Sequence, residues 1–348
     1  MALGCIWVSV LMLAACQLWA ADSQAVAEAA RGTALAREGK YDLAIRHYQA
    51  ALRLDAHLPG LHLNLGLAYF KSNHLREATA AFEDAVRADS ENFQARALLG
   101  MSYYGSSRYR EAAAQLKLAS ESQPENLELR YTLAQSYLWS EQYPEALWEF
   151  QFLLSKNPDS APVHVLLGQA LDANGQVEAA TAEFEAAARA SPKQASVHFG
   201  LGYLYWKRKR YQDAGREFQA ELANQPEHVQ ALTYLGDVEM RSGNDKAAGD
   251  HFRRALKLAP DTRLAHLDLA IVLGREGDSA GAIQHFRDAI RIDPSKPDAH
   301  YRLGRLLSSI GRKQEGQSEF DKVKALASEE SPPPLVRLPA GLGAAPPR

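Results

Sequence analysis

Residues 59–92 read PGLHLNLGLAYFKSNHLREATAAFEDAVRADSEN, and the spacing of their apolar side chains decides the fold. Leu61, Leu65, Ala68 and Tyr69 recur at three and four residues, the period of one face of an α-helix. Asn73 interrupts the pattern with a residue that tolerates the left-handed backbone that ends a helix and turns the chain. A second helical run follows, with Ala78, Phe82, Ala85 and Val86 on one face. The stretch therefore predicts two amphipathic helices folded into a hairpin, each helix too short to bury its apolar face alone.

Outward from this stretch the same pattern returns every 34 residues. A small residue recurs in the first helix at Gly32, Gly66, Gly100, Ala134, Gly168, Gly202, Gly236, Ala270 and Gly304. A second small residue recurs in the second helix at Ala44, Ala78, Ala112, Ala146, Ala180, Ala214, Ala248, Ala282 and Gly316. Four residues further on stands a ring or leucine: Tyr48, Phe82, Leu116, Phe150, Phe184, Phe218, Phe252, Phe286 and Phe320. Gly39, Gly175, Gly243, Gly277 and Gly311 share the register of Asn73, and Pro124, Pro158, Pro192, Pro226, Pro260 and Pro294 close most units. Facing small residues let the two helices approach closely, and the recurrent ring fills the space beside that contact. Nine units, starting at residues 25, 59, 93, 127, 161, 195, 229, 263 and 297, fill 25–330 without an insertion.

The ladder of Leu–Gly–x–x–Tyr, then Ala–x–x–x–Phe, then Pro resembles the tetratricopeptide repeat. Leu99, Gly100, Tyr103, Ala112, Leu116 and Pro124 carry it in one unit, and Leu201, Gly202, Tyr205, Ala214, Phe218 and Pro226 in another. The resemblance implies an all-α fold, a right-handed superhelical α-solenoid of nine 34-residue helix-turn-helix repeats. Departures fall in the terminal units, which carry Arg31 in place of leucine and Lys313 and Gly316 in place of an apolar residue and alanine, as expected of repeats with one side to water.

In that family the first helices line a concave surface that takes a protein or peptide ligand. The equivalent residues here are Leu63, Leu67, Phe70, Met101, Tyr104, Tyr131, Leu138 and Trp139, then Phe199, Tyr203, Trp206, Lys207, Met240, Arg241, Ile271, Tyr301 and Arg305. Tyr, Trp and Arg dominate binding hot spots, which favours a partner-binding groove. The alternative is packing between neighbouring first helices, which uses the same side chains. Two specialised forms of the family are disfavoured. The paired Lys and Asn of a carboxylate-gripping clamp are replaced mostly by Ala, Leu, Tyr, Val and Phe. The asparagine ladder of the sugar-transferring members is reduced to Asn64, with Leu98, Thr132, Leu166, Gly200, Tyr234, Asp268 and Arg302 in its register.

A net charge of −3 over 348 residues gives no global basic footprint, so nucleic acid is not an expected partner. No phosphate loop, nucleophile elbow or metalloprotease helix is present, and we expect no catalysis and no cofactor. His62, His164, His198, His266 and His300 share one register near the start of the first helix. One histidine per unit, on helices roughly 8–10 Å apart, is a poor start for a metal site, so no metal is expected and packing is the favoured reading. The run Trp206–Arg210, with four consecutive cations, suits a helix C-terminus and reads first as a solvated turn, with an acidic partner or anionic lipid as the alternative.

Both cysteines, Cys5 and Cys16, lie near the N-terminus. The uncharged stretch Ala2–Ala21, apolar over Ile6–Leu13 and small-residue-rich after it, is read at residues 1–21 as a signal peptide, lipoprotein signal or anchor, although no Lys or Arg precedes it. Leu13-Ala14-Ala15-Cys16 resembles a bacterial lipobox with Cys16 as the lipidated residue. The expectation is export to the periplasm or outer membrane, with a cytoplasmic or N-terminally anchored form as alternative. Residues 331–348, rich in Pro, Gly and Ala, are expected to be disordered, or to fold Leu335, Val336 and Leu338 back over the last unit.

Overall fold

The computed structural model describes residues 23–194 and 196–327. The expected signal or anchor at 1–21, Cys16 and the expected disordered stretch from 331 lie outside the described residues. Among the described residues eighteen helices follow one another in hairpin pairs. The first four pairs are residues 23–37 (α1) with Tyr41–Leu54 (α2), Leu61–Lys71 (α3) with Leu75–Ala88 (α4), Phe93–Gly105 (α5) with Tyr109–Ser122 (α6), and Leu127–Trp139 (α7) with Tyr143–Lys156 (α8). The other five are Ala161–Ala173 (α9) with Val177–Ala190 (α10), Val197–Lys207 (α11) with Tyr211–Asn224 (α12), Val229–Arg241 (α13) with Asp245–Leu258 (α14), Arg263–Glu276 (α15) with Ser279–Ile292 (α16), and Pro297–Ser309 (α17) with Lys313–Ala327 (α18). The chain is an all-α solenoid of helix-turn-helix repeats. Its helices form two compact units, one ending at Lys156 and the other beginning at Asn157, a boundary that falls between two repeats. Within each unit the second helix of a hairpin packs on the first helix of the next.

One backbone conformation at one register makes every hairpin. Gly39, Gly175, Gly243, Gly277 and Gly311 have φ between 76° and 91°, and Asn73, Ser107, Glu141 and Lys209 reach φ of 59–65° in the same place. Four side-chain-bearing residues thus accept a left-handed conformation that costs about 1–2 kcal/mol each. They hold it because the helices on both sides are fixed by packing.

The core is the predicted contact of small residue against ring. Ala44, Ala78, Ala112, Ala146, Ala180, Ala214, Ala248 and Ala282 are fully buried, as are Phe82, Phe150, Phe218 and Phe252. A Cβ at Gly66 would lie 2.6 Å from the Phe82 ring, and one at Gly202 would lie 2.6 Å from Phe218, so the ladder glycines set the distance between helices. Gly200 is a further, local case. Its α-carbon faces Phe184 of the preceding hairpin, and an added Cβ would stand 2.2 Å from that buried ring. Gly249 differs, since its Cβ would meet only the flexible end of Arg253 at 3.1 Å. Gly200→Ala is therefore expected to lose about 1–3 kcal/mol by overpacking, whereas Gly249→Ala gains about 0.5–1 kcal/mol of helix propensity. Thermal melts of the two variants that shift in the same direction would contradict this packing account.

Polar side chains form two further ladders. Within hairpins, a first-helix residue meets a second-helix residue 19 positions on: Arg96–Gln115 at 3.1 Å, Arg130–Glu149 at 2.7 Å, His164–Glu183 at 2.6 Å, His198–Glu217 at 2.7 Å and His300–Glu319 at 2.6 Å. Between hairpins, the recurrent tyrosine reaches back 20 positions, Tyr103 donating to Glu83 at 2.7 Å and Tyr205 to Glu185 at 3.1 Å. Burial and the Glu83 carboxylate push the Tyr103 hydroxyl up to about 12, so it stays a donor across the whole useful pH range. At α18, Phe320, Val323 and Leu326 are half-buried, whereas the equivalent Phe286 and Phe252 are buried.

Candidate functional site

The second unit gathers aromatic side chains on the first helices α11 and α13. Phe199, Tyr203 and Trp206 lie on one face of α11 because their spacing of four and three residues follows the helical period. Tyr203 stacks on Phe199 and Trp206 with ring centroids 6.4 and 6.2 Å away. Tyr234 of α13 closes the cluster edge-on, 5.6 Å from Tyr203 and 5.1 Å from Trp206. Phe199 is buried beneath, between Tyr234, Phe218 and His228. Tyr203 and Trp206 stay half-exposed and form the accessible wall.

Acids adjoin the wall. Trp206 Nε1 donates to Asp237 Oδ2 at 2.5 Å, and Arg241 Nε donates to the same oxygen at 2.6 Å. The Arg241 guanidinium also lies 5.9 Å from the Trp206 ring and 5.1 Å from that of Tyr211. On the next first helix Asp268 is buried, and desolvation, with the Asp237 charge adding to it, raises its carboxyl to about 7; Arg302 and Arg241 oppose the shift without cancelling it. Lys207 at the other side is held by Asp172 at 2.7 Å. Half-exposed rings thus lie over two buried acids, Asp237 paired with Arg241 and Asp268 with a carboxyl raised to about 7. Among the described residues this cluster offers ring faces beside the Arg241 guanidinium.

The first unit carries a smaller aromatic group. Tyr104 lies 5.5 Å from the Tyr109 ring and accepts a hydrogen bond from Trp139, while burial raises its hydroxyl above the usual range. Leu63, Leu67, Phe70, Met101, Tyr104 and Trp139 are all half-buried.

Of the residues expected on the concave face, Tyr131, Leu138, Phe199 and Met240 are buried in the packing between helices, so for these four the packing alternative holds. At these registers the side chain meets the neighbouring first helix, and a bulky neighbour such as Tyr234 covers it. Lys207, Arg241, Tyr301 and Arg305 are exposed, and Ile271 is half-buried. Tyr234, Asp237 and Asp268 were missed. Tyr234 and Asp268 stood in the register read only as a depleted asparagine ladder, and Asp237 occupies the register of Tyr203. Trp148 was also missed. It is 57% exposed on a second helix, stacked on Phe152 at 6.1 Å beside Arg130.

The basic run is largely neutralised by its own array: Lys207 meets Asp172, Arg208 meets Glu178 at 3.3 Å and Arg210 meets Asp213 at 2.6 Å. The histidine column is explained by its second-helix partners, since His164, His198 and His300 each face a glutamate and His62 stands 3.8 Å from Asp84. The repeat at 263–296 is different, because there the partner of His266 is another histidine, His285. No described helix is long and apolar enough to cross a membrane.

Comparison with known proteins agrees with this architecture. A tetratricopeptide repeat model matches residues 131–195, 165–223 and 199–262, and a second repeat model of the same kind matches 32–73 and 275–311. A model described as anaphase-promoting complex, cyclosome, subunit 3 matches 71–153. No curated protein sequence gives a significant match. Among solved structures, the hetero-tetramer Cut9–Hcn1 of the APC/C is similar over 88% of this chain and 74% of its own, at 15% identity and a TM-score of 0.56. PilF of Pseudomonas aeruginosa is similar over 60% of this chain and 95% of its own, at 19% identity and a TM-score of 0.53. These likenesses speak for the fold alone. With the turn register, the small-residue ladder and repeat models that together span more than half of the sequence, the chain belongs to the tetratricopeptide-repeat family.

Proposed function

We propose that this protein is a non-catalytic scaffold that binds an extended or helical segment of a partner protein on the inward face of α11, α13 and α15. The observation that carries the reading is the half-exposed Tyr203–Trp206–Tyr234 wall set against Asp237 and Asp268. Aromatic anchors at the centre of a surface supply most of a partner's binding energy, and a carboxylate beside them selects a segment that pairs an apolar side chain with Lys or Arg. Tyr203→Ala combined with Trp206→Ala is expected to weaken partner capture from native membranes about thirtyfold or more. Trp148→Ala, on a second helix, should leave it unchanged. Equal capture by the double variant and the parent would end the groove reading.

We place the scaffold in a bacterial cell-envelope assembly, on the strength of the uncharged Ala2–Ala21 stretch and the lipobox-like residues ending at Cys16. The same stretch supports a second reading, a non-catalytic subunit of a membrane-bound enzyme or secretion complex, in which the N-terminal tether matters as much as the groove. Intact mass of the mature protein separates the cases. A diacylated N-terminal Cys16 supports the lipoprotein form, cleavage near Ala20 the soluble periplasmic form, and an intact leader the anchored or cytoplasmic one.

A further inference from the structure

We propose that His266, His285 and Asp288 form a binding site for a divalent transition-metal ion of the zinc class. The site stands on α15 and α16, apart from the aromatic wall and independent of the groove reading.

In three other hairpins the first-helix histidine turns Nδ1 to a glutamate 19 residues on. Here the glutamate is replaced by His285, and the two Nδ1 atoms stand 2.9 Å apart. Two ring nitrogens facing each other share one proton between them, so the hairpin has exchanged a carboxylate–imidazole pair for a neutral one.

The protonation pattern of His266 is fixed by its other nitrogen. Nε2 lies 2.8 Å from the Pro260 carbonyl, which only accepts, so Nε2 carries the proton and Nδ1 presents its lone pair to His285. A backbone carbonyl holding the far N–H is the device by which proteins orient metal-binding imidazoles. Asp288 completes the set. It lies three residues beyond His285, on the same face of α16, and one ligand atom from each of the three residues falls within 4.8 Å of the others. Gln284 donates to Asp288 Oδ2 at 3.2 Å, which orients the carboxylate.

Two imidazole nitrogens and one carboxylate oxygen are the donor set of three-ligand zinc sites, with the fourth position left to water. At Zn–N distances of about 2.0–2.1 Å, tetrahedral ligands stand about 3.3 Å apart, so the two rings separate by a few tenths of an ångström while the Asp288 carboxylate closes in from no more than 4.8 Å. The proton between them is conserved: as the ion takes both Nδ1 lone pairs, the His285 proton moves to its own Nε2. His266 is buried and His285 half-buried, which leaves the ion reachable from the α16 side.

The test uses the untagged, chelator-treated full chain titrated with ZnCl2, followed by calorimetry and by thermal melts. One Zn2+ per chain with an upward shift in Tm is expected. His285→Gln places at this register the residue that Gln115 provides beside Arg96, so the fold is retained; together with Asp288→Asn it tests the ligands from two sides. Each variant should bind Zn2+ at least about tenfold more weakly. His251→Gln, at the same register of the preceding second helix, should bind as the parent does. Absence of saturable Zn2+ uptake by the parent, or parental affinity retained in His285→Gln or in Asp288→Asn, would overturn the site.

Discussion

Glu149→Ala is expected to destabilise the protein by about 3–5 kcal/mol, because it strands a buried guanidinium. Arg130 and Glu149 retain only 10% and 7% side-chain exposure, and their 2.7 Å contact joins α7 to α8. Arg130 Nε also donates to the Pro124 carbonyl at 2.6 Å, and the guanidinium lies 4.1 Å above the Phe152 ring. This side chain is held in place and stays largely out of water when its carboxylate is removed. Burial raises the Glu149 carboxyl despite Arg130 beside it, so desolvation outweighs the attraction and the pair is not a large net source of stability. The expected signature is therefore asymmetric. Glu149→Ala is severe, whereas Arg130→Leu with Glu149→Leu stays within about 1–2 kcal/mol of the parent. Leu232 already occupies the Arg130 register in another hairpin, so leucine fits. Arg130→His should also fold well, since it recreates the His164–Glu183 pair. Denaturant midpoints give all four stabilities. A double variant as unstable as Glu149→Ala would mean that the pair itself, not the stranded charge, carries the energy.

The same pair shows what the sequence made legible. Hairpins, turns and core could be read because each is set by local steric rules that recur at one spacing. The register of Asn73 needs φ near +60° to +90°, so glycine fills it five times, and the small-residue ladder stands wherever a ring crosses at van der Waals distance. Residue pairs between helices were harder. The histidine column was visible, yet its meaning lay 19 residues away in Glu183, Glu217 and Glu319, on a helix whose rotation about its axis no single register reveals. Counting one histidine per unit hid His285 for this reason.

The site was legible in part. The half-exposed pair Tyr203 and Trp206 could be picked out from residue type and register, since both stand on the first-helix face that the family resemblance singles out. Burial could not be foreseen at Tyr131 and Phe199, because it depends on the size of the side chain one repeat away: Tyr234 covers Phe199 with ring centroids 6.0 Å apart. Asp268 was invisible for the opposite reason. An acid in a helix reads as a solvated face, and only the packing of neighbouring first helices takes it out of water.

Asp268 also carries the second large effect. Its carboxyl titrates near 7 in the folded protein, against about 3.9 in an unfolded chain. The folded state thus binds the proton more tightly. Below about pH 4 both states are protonated and the residue is neutral in effect. Between about pH 4 and 7 the unfolded chain ionises first, so stability falls as pH rises; above 7 the full penalty, of order 4 kcal/mol, remains. Asp268→Asn, of the same shape and uncharged, removes that dependence. The variant should match the parent near pH 4 and exceed it by up to about 4 kcal/mol at pH 8, read as the difference between the two stability–pH curves so that other carboxylates cancel. Parallel curves would show that Asp268 ionises freely in the fold. A partner that brings Lys or Arg to this face offsets the penalty by ionising Asp268, so its affinity rises with pH through about 7 in the parent and becomes flat in Asp268→Asn. On the proposed binding reading, the stored cost of the buried acid is the means by which this face would tell a cationic segment from a neutral one.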